Sequence, residues 1–359
     1  MDIEGPPIPL DAGDPANTAS PPRGFYSLFF SSFQGAVCHA EATFTREGAA
    51  CGIRPDGRCP VELRPRILAC GILPLSCSSA AIQTEENVVI VTADADLILP
   101  GAGGQQEPYS LSVGCGAAEQ ELADVTGGDG ASLSSLLQAT LEQLLLPHLV
   151  PLKDEGGKAS WRISLDVIVL KAGGCLLDAV SLAIWGALKS LRLPSVLIEE
   201  AEEKDQGLAV TDLNVSCDER YVEKIRLAFL ELSSPPAECS MRASRLLHSS
   251  IAAGRPYPID TVPILLTAAQ IGGTYLWDLT DVEAACADSF LVAAILPSGA
   301  CVALQKFGHI LSDCRTLQTT LTISQRLSRE ILEDLKRQSE QTKDALHGQL
   351  DSFFSLASL

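Results

Sequence analysis

Arg54, Arg58, Arg64 and Arg66 crowd into one short stretch, GIRPDGRCPVELRPR, with Asp56 and Glu62 between them. Guanidinium forks suit carboxylates, so this group can pin its own turn as a self-paired charge cluster. Internal pairing with Asp56 and Glu62 takes precedence, because those acceptors are close in the chain. Lys153, Lys158, Arg162 and Lys171 form a looser second basic set. Other chemistry finds little support. His39, His148, His248, His309 and His347 are dispersed, without metal-ligand spacing. No serine or cysteine sits in a nucleophile-elbow context. Gly127, Gly128 and Gly130 flank Asp129 without the lysine of a phosphate loop.

Composition narrows the function classes. The 359 residues carry 26 basic against 45 acidic side chains, a net charge of −19. A free-standing nucleic-acid binder needs clustered Lys and Arg, so RNA contact would come from a local patch or from partners. Twelve cysteines are scattered with no CxxC pair, which removes zinc-ribbon and thioredoxin-like spacings. The acidic, proline-rich start lacks the features of a secretory signal, and the thiols read as reduced, in cytosol or nucleus. No apolar run reaches the ~20 residues that span a bilayer.

These residues need elements to position them. Residues 1–36 read as a disordered or docking tail, with aromatic Phe25 to Phe33 at its end. A short helix is expected over Val37 to Glu47. Strands are expected at Arg66 to Pro74, Ser79 to Gln83, Asn87 to Asp96 and Tyr109 to Gly114, the middle pair as a hairpin. Ser132 to Leu146 has a leucine face and reads as a helix. Trp161 to Leu170 alternates as a strand. Gly173 and Gly174 follow, where positive φ suits a chain reversal. A helix from Asp178 to Leu191 comes next, with Asp178 suited to the dipole and to capping free amides. Residues 199–257 read as an acidic loop and an insertion. The second half offers strands at Val262 to Ile271 and Tyr275 to Asp278, a hairpin over Phe290 to Gln305, and a long helix from Asp313 to Gln349. Two α+β units, 37–198 and 258–349, therefore stack strands under helices.

Four segments resemble the ribonuclease PH family, and within it the exosome ring subunits. They are RPDGR at Arg54 to Arg58 with Glu62 and Arg64, then SLDVIVLKAGGCLLDAVSLAIWGAL from Ser164. The others are VPILLTAAQIGGTYLWDLTDVEAAC from Val262, carrying Asp278, Thr280 and Glu283, and SGACVALQKFG from Ser298. The resemblance implies two ribonuclease-PH-like units with βαβ sheets of the ribosomal protein S5 domain 2 type. Active members bind phosphate with Gly-Gly-Thr-Arg; the matching Gly173, Gly174, Cys175 and Leu176 lack both the hydroxyl and the guanidinium. Ala172 stands where an acid is expected. Asp205 and Asp212 lie where active members carry metal-binding or general-acid carboxylates, but without the motif. The implied protein is a non-catalytic subunit of the RNA exosome core ring, supporting 3′-to-5′ RNA processing and degradation, with no cofactor and no metal. Its implied partners are other ribonuclease-PH-like ring subunits, cap subunits and RNA through the assembled ring, in nucleus, nucleolus and cytoplasm and away from membranes. Inherited RNA contact would fall to Arg54, Arg58, Arg64, Arg66, Lys153, Lys158 and Arg162. An active phosphorolytic exoribonuclease, or an acidic assembly protein without an RNA role, stays open.

Overall fold

The computed structural model describes residues 37–73, 76–98, 107–116, 133–153, 160–193, 196–198, 213–215, 255–308 and 313–344. The tail with Phe25 to Phe33, Lys158, Asp205, Asp212 and most of 199–257 lie outside them.

A helix α1 (His39–Ala50) opens the described chain. The first sheet comprises β1 (Ile67–Cys70), β2 (Ser78–Gln83), β3 (Val88–Ile98), β4 (Tyr109–Gly114) and β5 (Ser160–Lys171). Its order is β1-β2-β3-β5-β4. All pairs are antiparallel except β4 with β5. The expected hairpin is present, with Gln83 opposite Val88. The first strand is shorter than Arg66 to Pro74. β5 shows why the sheet forms: Trp161, Ile163, Leu165, Val167 and Val169 are buried while Asp166, Ile168 and Leu170 are exposed. Helix α2 (Leu133–Leu144) packs against β4 through Leu133, Leu137 and Leu141.

Helix α3 (Leu176–Ser190) is buried at every position from Leu176 to Leu188. A helix apolar all round needs cover on both sides. The first sheet covers one side through β2 and β3. The second sheet covers the other: β10 (Ile264–Ile271), β11 (Thr274–Trp277), β12 (Ser289–Ile295) and β13 (Cys301–Gly308), in the order β11-β10-β12-β13. Two short pairs, β6 (Arg192–Leu193) with β9 (Arg255–Pro256) and β7 (Val196–Ile198) with β8 (Leu213–Val215), complete the strands among the described residues. One apolar core therefore runs through both sheets.

Between β11 and β12 lies a short helix α4 (Asp281–Ala285), opened by a capping box between Thr280 and Glu283. The long helix α5 (Cys314–Asp344) buries Leu327, Ile331, Leu332 and Leu335. It reaches both units: Ser324 Oγ accepts from Trp277 Nε1 at 2.9 Å. Gln338 donates to Arg66 O at 3.0 Å and accepts from Leu68 N at 2.8 Å, which closes the free edge at β1. Among the described residues, no helix is long and apolar enough to cross a membrane.

Candidate functional site

The glycine turn ends β5 and enters α3. Asn87 holds it from both directions, accepting from Gly173 N and donating to Gly174 O, each at 2.8 Å. Glu86 accepts from Gly174 N at 3.2 Å. Neither glycine has positive φ, contrary to the expectation; both are needed for close approach. A Cβ at Gly173 would meet Glu86 Cβ at 2.5 Å, and one at Gly174 would fall onto the Leu279 carbonyl. The left-handed residue is Cys175, at φ 58°. Asp278 across the joint is left-handed too, at φ 52°. An L side chain is strained there, so surrounding contacts must hold both residues in place. One such contact runs from Leu279 N to Cys175 Sγ at 3.2 Å.

Chemically the turn is blunt. Burial pushes the Cys175 thiol well above its ordinary pKa, and Asp178 and Asp278 push it further. A thiol held neutral is a poor nucleophile. Leu176 is fully buried and offers no donor side chain. Helix α3 starts at Leu176, so Asp178 lies inside the first turn rather than at the cap. Its carboxylate does not cap α3 amides. It accepts instead from Thr267 N at 2.9 Å and Thr267 Oγ1 at 2.6 Å, on β10 of the second unit.

Burial raises the Asp178 pKa to about 7, against the hydrogen bonds from Thr267. Asp278 adds to the rise and Arg66 opposes it. The native state thus holds a proton that the unfolded chain releases near pH 4. Asp178 contributes its stability below about pH 4 and loses it as pH rises to about 7. Urea unfolding at pH 5 and pH 8 should show this slope in the wild type and a shallower one in Asp178→Asn. Equal slopes would remove Asp178 as the cause.

Beside the turn, the arginines meet carboxylates of the second unit. Arg54 has a side chain 0% exposed and donates to Glu283 Oε1 at 2.7 Å and Oε2 at 2.5 Å. It also donates to Trp277 O at 2.9 Å and Asp278 O at 2.8 Å. Arg64 binds Asp278 Oδ1 through Nη2 at 2.7 Å and pairs with Glu86 at 2.9 Å. Burial opposes the Arg64 charge, but Asp278 and Glu86 outweigh it and raise its pKa. Burial likewise works against the Asp278 carboxylate, and Arg64 overcomes it, leaving that pKa low. Arg58 donates to Asp56 at 2.6 Å and to Asp278 O at 3.0 Å. Local pairing therefore holds with Asp56, closely for Arg58 and at 3.9 Å for Arg54, but not with Glu62, whose carboxylate accepts from Cys59 N. The main acceptors are Asp278 and Glu283, more than two hundred residues along the chain.

The remaining candidates are placed differently. Arg66 is largely buried, which lowers its pKa despite Asp278, Asp178 and Asp334 nearby. It lines a cavity of about 30 Å³ with Asn87, Gly174, Cys175, Asp178 and Asp278, room for a water molecule. Lys153 is exposed, bridged to the start of β5 at Ser160. Arg162 stands near it, on the outer face of β5. Lys171 lies at the other end of that strand, ~30 Å away, so the second basic set is split. Among the described residues, no group of three or more His, Cys, Asp or Glu could hold a metal ion.

Two α+β units thus close on a glycine turn, with a buried helix shared between their sheets. Residues 62–194 match the 3′ exoribonuclease family, domain 1, the ribonuclease PH domain. Among curated proteins, the chain is similar to exosome complex component rrp43 of Schizosaccharomyces pombe, 28% identical over 42% of this chain and 57% of that protein. It is also similar to the putative exosome complex exonuclease RRP42 of Dictyostelium discoideum, 26% identical over 42% of this chain and 36% of that protein. The matched stretches thus span 57% and 36% of those relatives' lengths. Among solved structures, an archaeal exosome core covers 83% of this chain and 96% of its own, at TM-score 0.52 and 19% identity. The Archaeoglobus fulgidus exosome with RNA bound to the active site covers 82% and 97%, at TM-score 0.54 and 19% identity. The fold is ribonuclease PH-like, and it extends over both units.

Proposed function

We propose that this chain is a ring subunit of an RNA exosome that has given up phosphorolysis and works by holding the ring together. The reading rests on the turn: an attacking phosphate needs cationic and hydroxyl donors, and Cys175 and Leu176 supply neither. Cys175 Sγ is already engaged with Leu279 N, so the turn serves as a joint between the two units. Its partners are other ribonuclease-PH-like ring subunits and cap subunits, in nucleus, nucleolus and cytoplasm. Its role is support of 3′-to-5′ RNA processing and decay. Of the candidates for RNA contact among the described residues, Lys153 and Arg162 remain for it, while Arg54, Arg58 and Arg64 are tied to carboxylates and Arg66 is largely buried. The test is phosphate-dependent release of nucleoside diphosphates from single-stranded RNA by the purified chain. No release above a phosphate-free control is expected; robust turnover would establish an active exoribonuclease instead.

A further inference from the structure

We propose that residues 25–33 of this chain, FYSLFFSSF, fold back along the outer side of α1 and cover Phe44 and Ile53. Helix α1 buries Thr45 and Ala49, and Val37 and Ala42 pack against the core beside them. Its outer side is apolar where water should meet polar groups. Phe44 is 65% exposed and Ile53 64%, the highest values for large apolar side chains among the described residues. The cap that ends α1 explains Ile53. Gly52, at φ 74°, turns the chain. Gly52 N donates to Ala49 O at 3.0 Å, and Ile53 N donates to Gly48 O at 2.8 Å. A cap of this kind frequently rests its outgoing apolar residue on a side chain one turn back. Here those positions hold Gly48 and Glu47, so Ile53 has no apolar seat. A Cβ at Gly48 would meet Ile53 O at 2.8 Å, so the position stays bare. Phe44 stands one turn before Gly48 on the same side of the helix. The result is a strip of two uncovered apolar side chains with a glycine notch between them.

Position, chemistry and tethering select the occupant. Val37 packs against the core, so the chain before it departs from the N-terminal end of α1. Residues 34–37 span up to ~13 Å, enough to reverse direction. Nine residues measure ~14 Å as a helix and ~30 Å as a strand, while α1 is ~18 Å long. Either form covers the distance from Phe44 to Ile53. Residues 25–33 hold five aromatic side chains and a leucine, and no charge. Their rings suit the Phe44 ring. An uncharged segment sets no carboxylate against Glu41 and Glu47, both exposed and each one turn from Phe44. Arg23, the sole cation in residues 1–36, comes just before it. The short link holds the segment at an effective concentration of about millimolar, which a free partner must outcompete. A second copy would instead bring a further charge of −19 to the contact.

The experiment places a benzophenone-bearing phenylalanine at position 44 of the full chain and maps its photo-cross-links by mass spectrometry. Equal parts of light and ¹⁵N-labelled chain are mixed, so contacts within one chain and between chains differ in mass. The expected result is cross-linking to residues 25–33 of the same chain. Phe29→Ser combined with Phe30→Ser is expected to cut that cross-link at least fivefold. With Phe44 itself in place, the same double variant should raise hydroxyl-radical oxidation of Phe44 at least threefold. Thermal unfolding of each variant is checked against wild type. Cross-links joining light to heavy chains would make the occupant a second copy. Phe44 oxidised equally in wild type and double variant, with no cross-link to 25–33, would leave α1 bare. Protection of Phe44 gained only on adding ribonuclease-PH-like exosome subunits would assign the strip to a partner. Each of these three results overturns the proposal.

Discussion

Glu283→Ala is expected to destabilise the chain by about 3–5 kcal/mol, read from equilibrium urea unfolding. The variant leaves the Arg54 guanidinium, 0% exposed, without its close, two-pronged carboxylate. Two backbone carbonyls, of Trp277 and Asp278, stay within reach but cannot neutralise the charge, and the Asp56 carboxylate, 3.9 Å from Nε, is too distant to replace the two-pronged pair. Removing one partner from a buried pair is far more costly than removing both. Arg54→Met combined with Glu283→Leu should therefore recover part of the loss. Recovery stays incomplete because the carbonyls of Trp277 and Asp278 lose a donor. A single-variant loss under about 1 kcal/mol would mean that water or a shifted side chain reaches Arg54, contrary to a sealed joint.

Gly174→Ala is the second large effect, about 3 kcal/mol, at the upper end of the overpacking range. The added Cβ would fall onto the Leu279 carbonyl and lie 2.7 Å from the Thr280 carbonyl carbon. Those neighbours are backbone and cannot swing away as a side-chain tip can. Gly116 is the control: nothing lies within 4 Å of a Cβ there, so Gly116→Ala should change stability by under about 0.5 kcal/mol. Equal behaviour of the two variants in thermal unfolding would show that the joint is looser than its geometry.

The strands were the most legible part of the chain. β5 alternates in the sequence as it does in the sheet, and the β2–β3 hairpin follows from two β-rich arms around a short connection. The burial of α3 was half legible. Apolar spacing announces a helix, but its near-continuous apolar run means cover on two sides, which only the second sheet explains. At the turn, the glycines themselves were readable and their reason was not. Close approach depends on what stands opposite, and Leu279 is over a hundred residues away. The positive φ of Cys175 had no sequence signal, since left-handed backbone at a non-glycine is set by its surroundings. The arginines failed in the same way. Asp56 and Glu62 lie near in sequence, while Glu283 and Asp278 lie near in space. The Asp278, Thr280 and Glu283 turn was visible as a pattern, but a single chain gives no means to pair two distant patterns.

The central claim is that a chain whose phosphate turn has become a structural joint earns its place by assembly. Affinity purification of the tagged full chain under native conditions, with quantitative mass spectrometry, tests this most directly. The expected result is recovery of ribonuclease-PH-like exosome subunits at near-equal molar amounts with the bait. Recovery of the chain with no ribonuclease-PH-like subunit would contradict it, leaving a protein that kept the fold outside RNA metabolism.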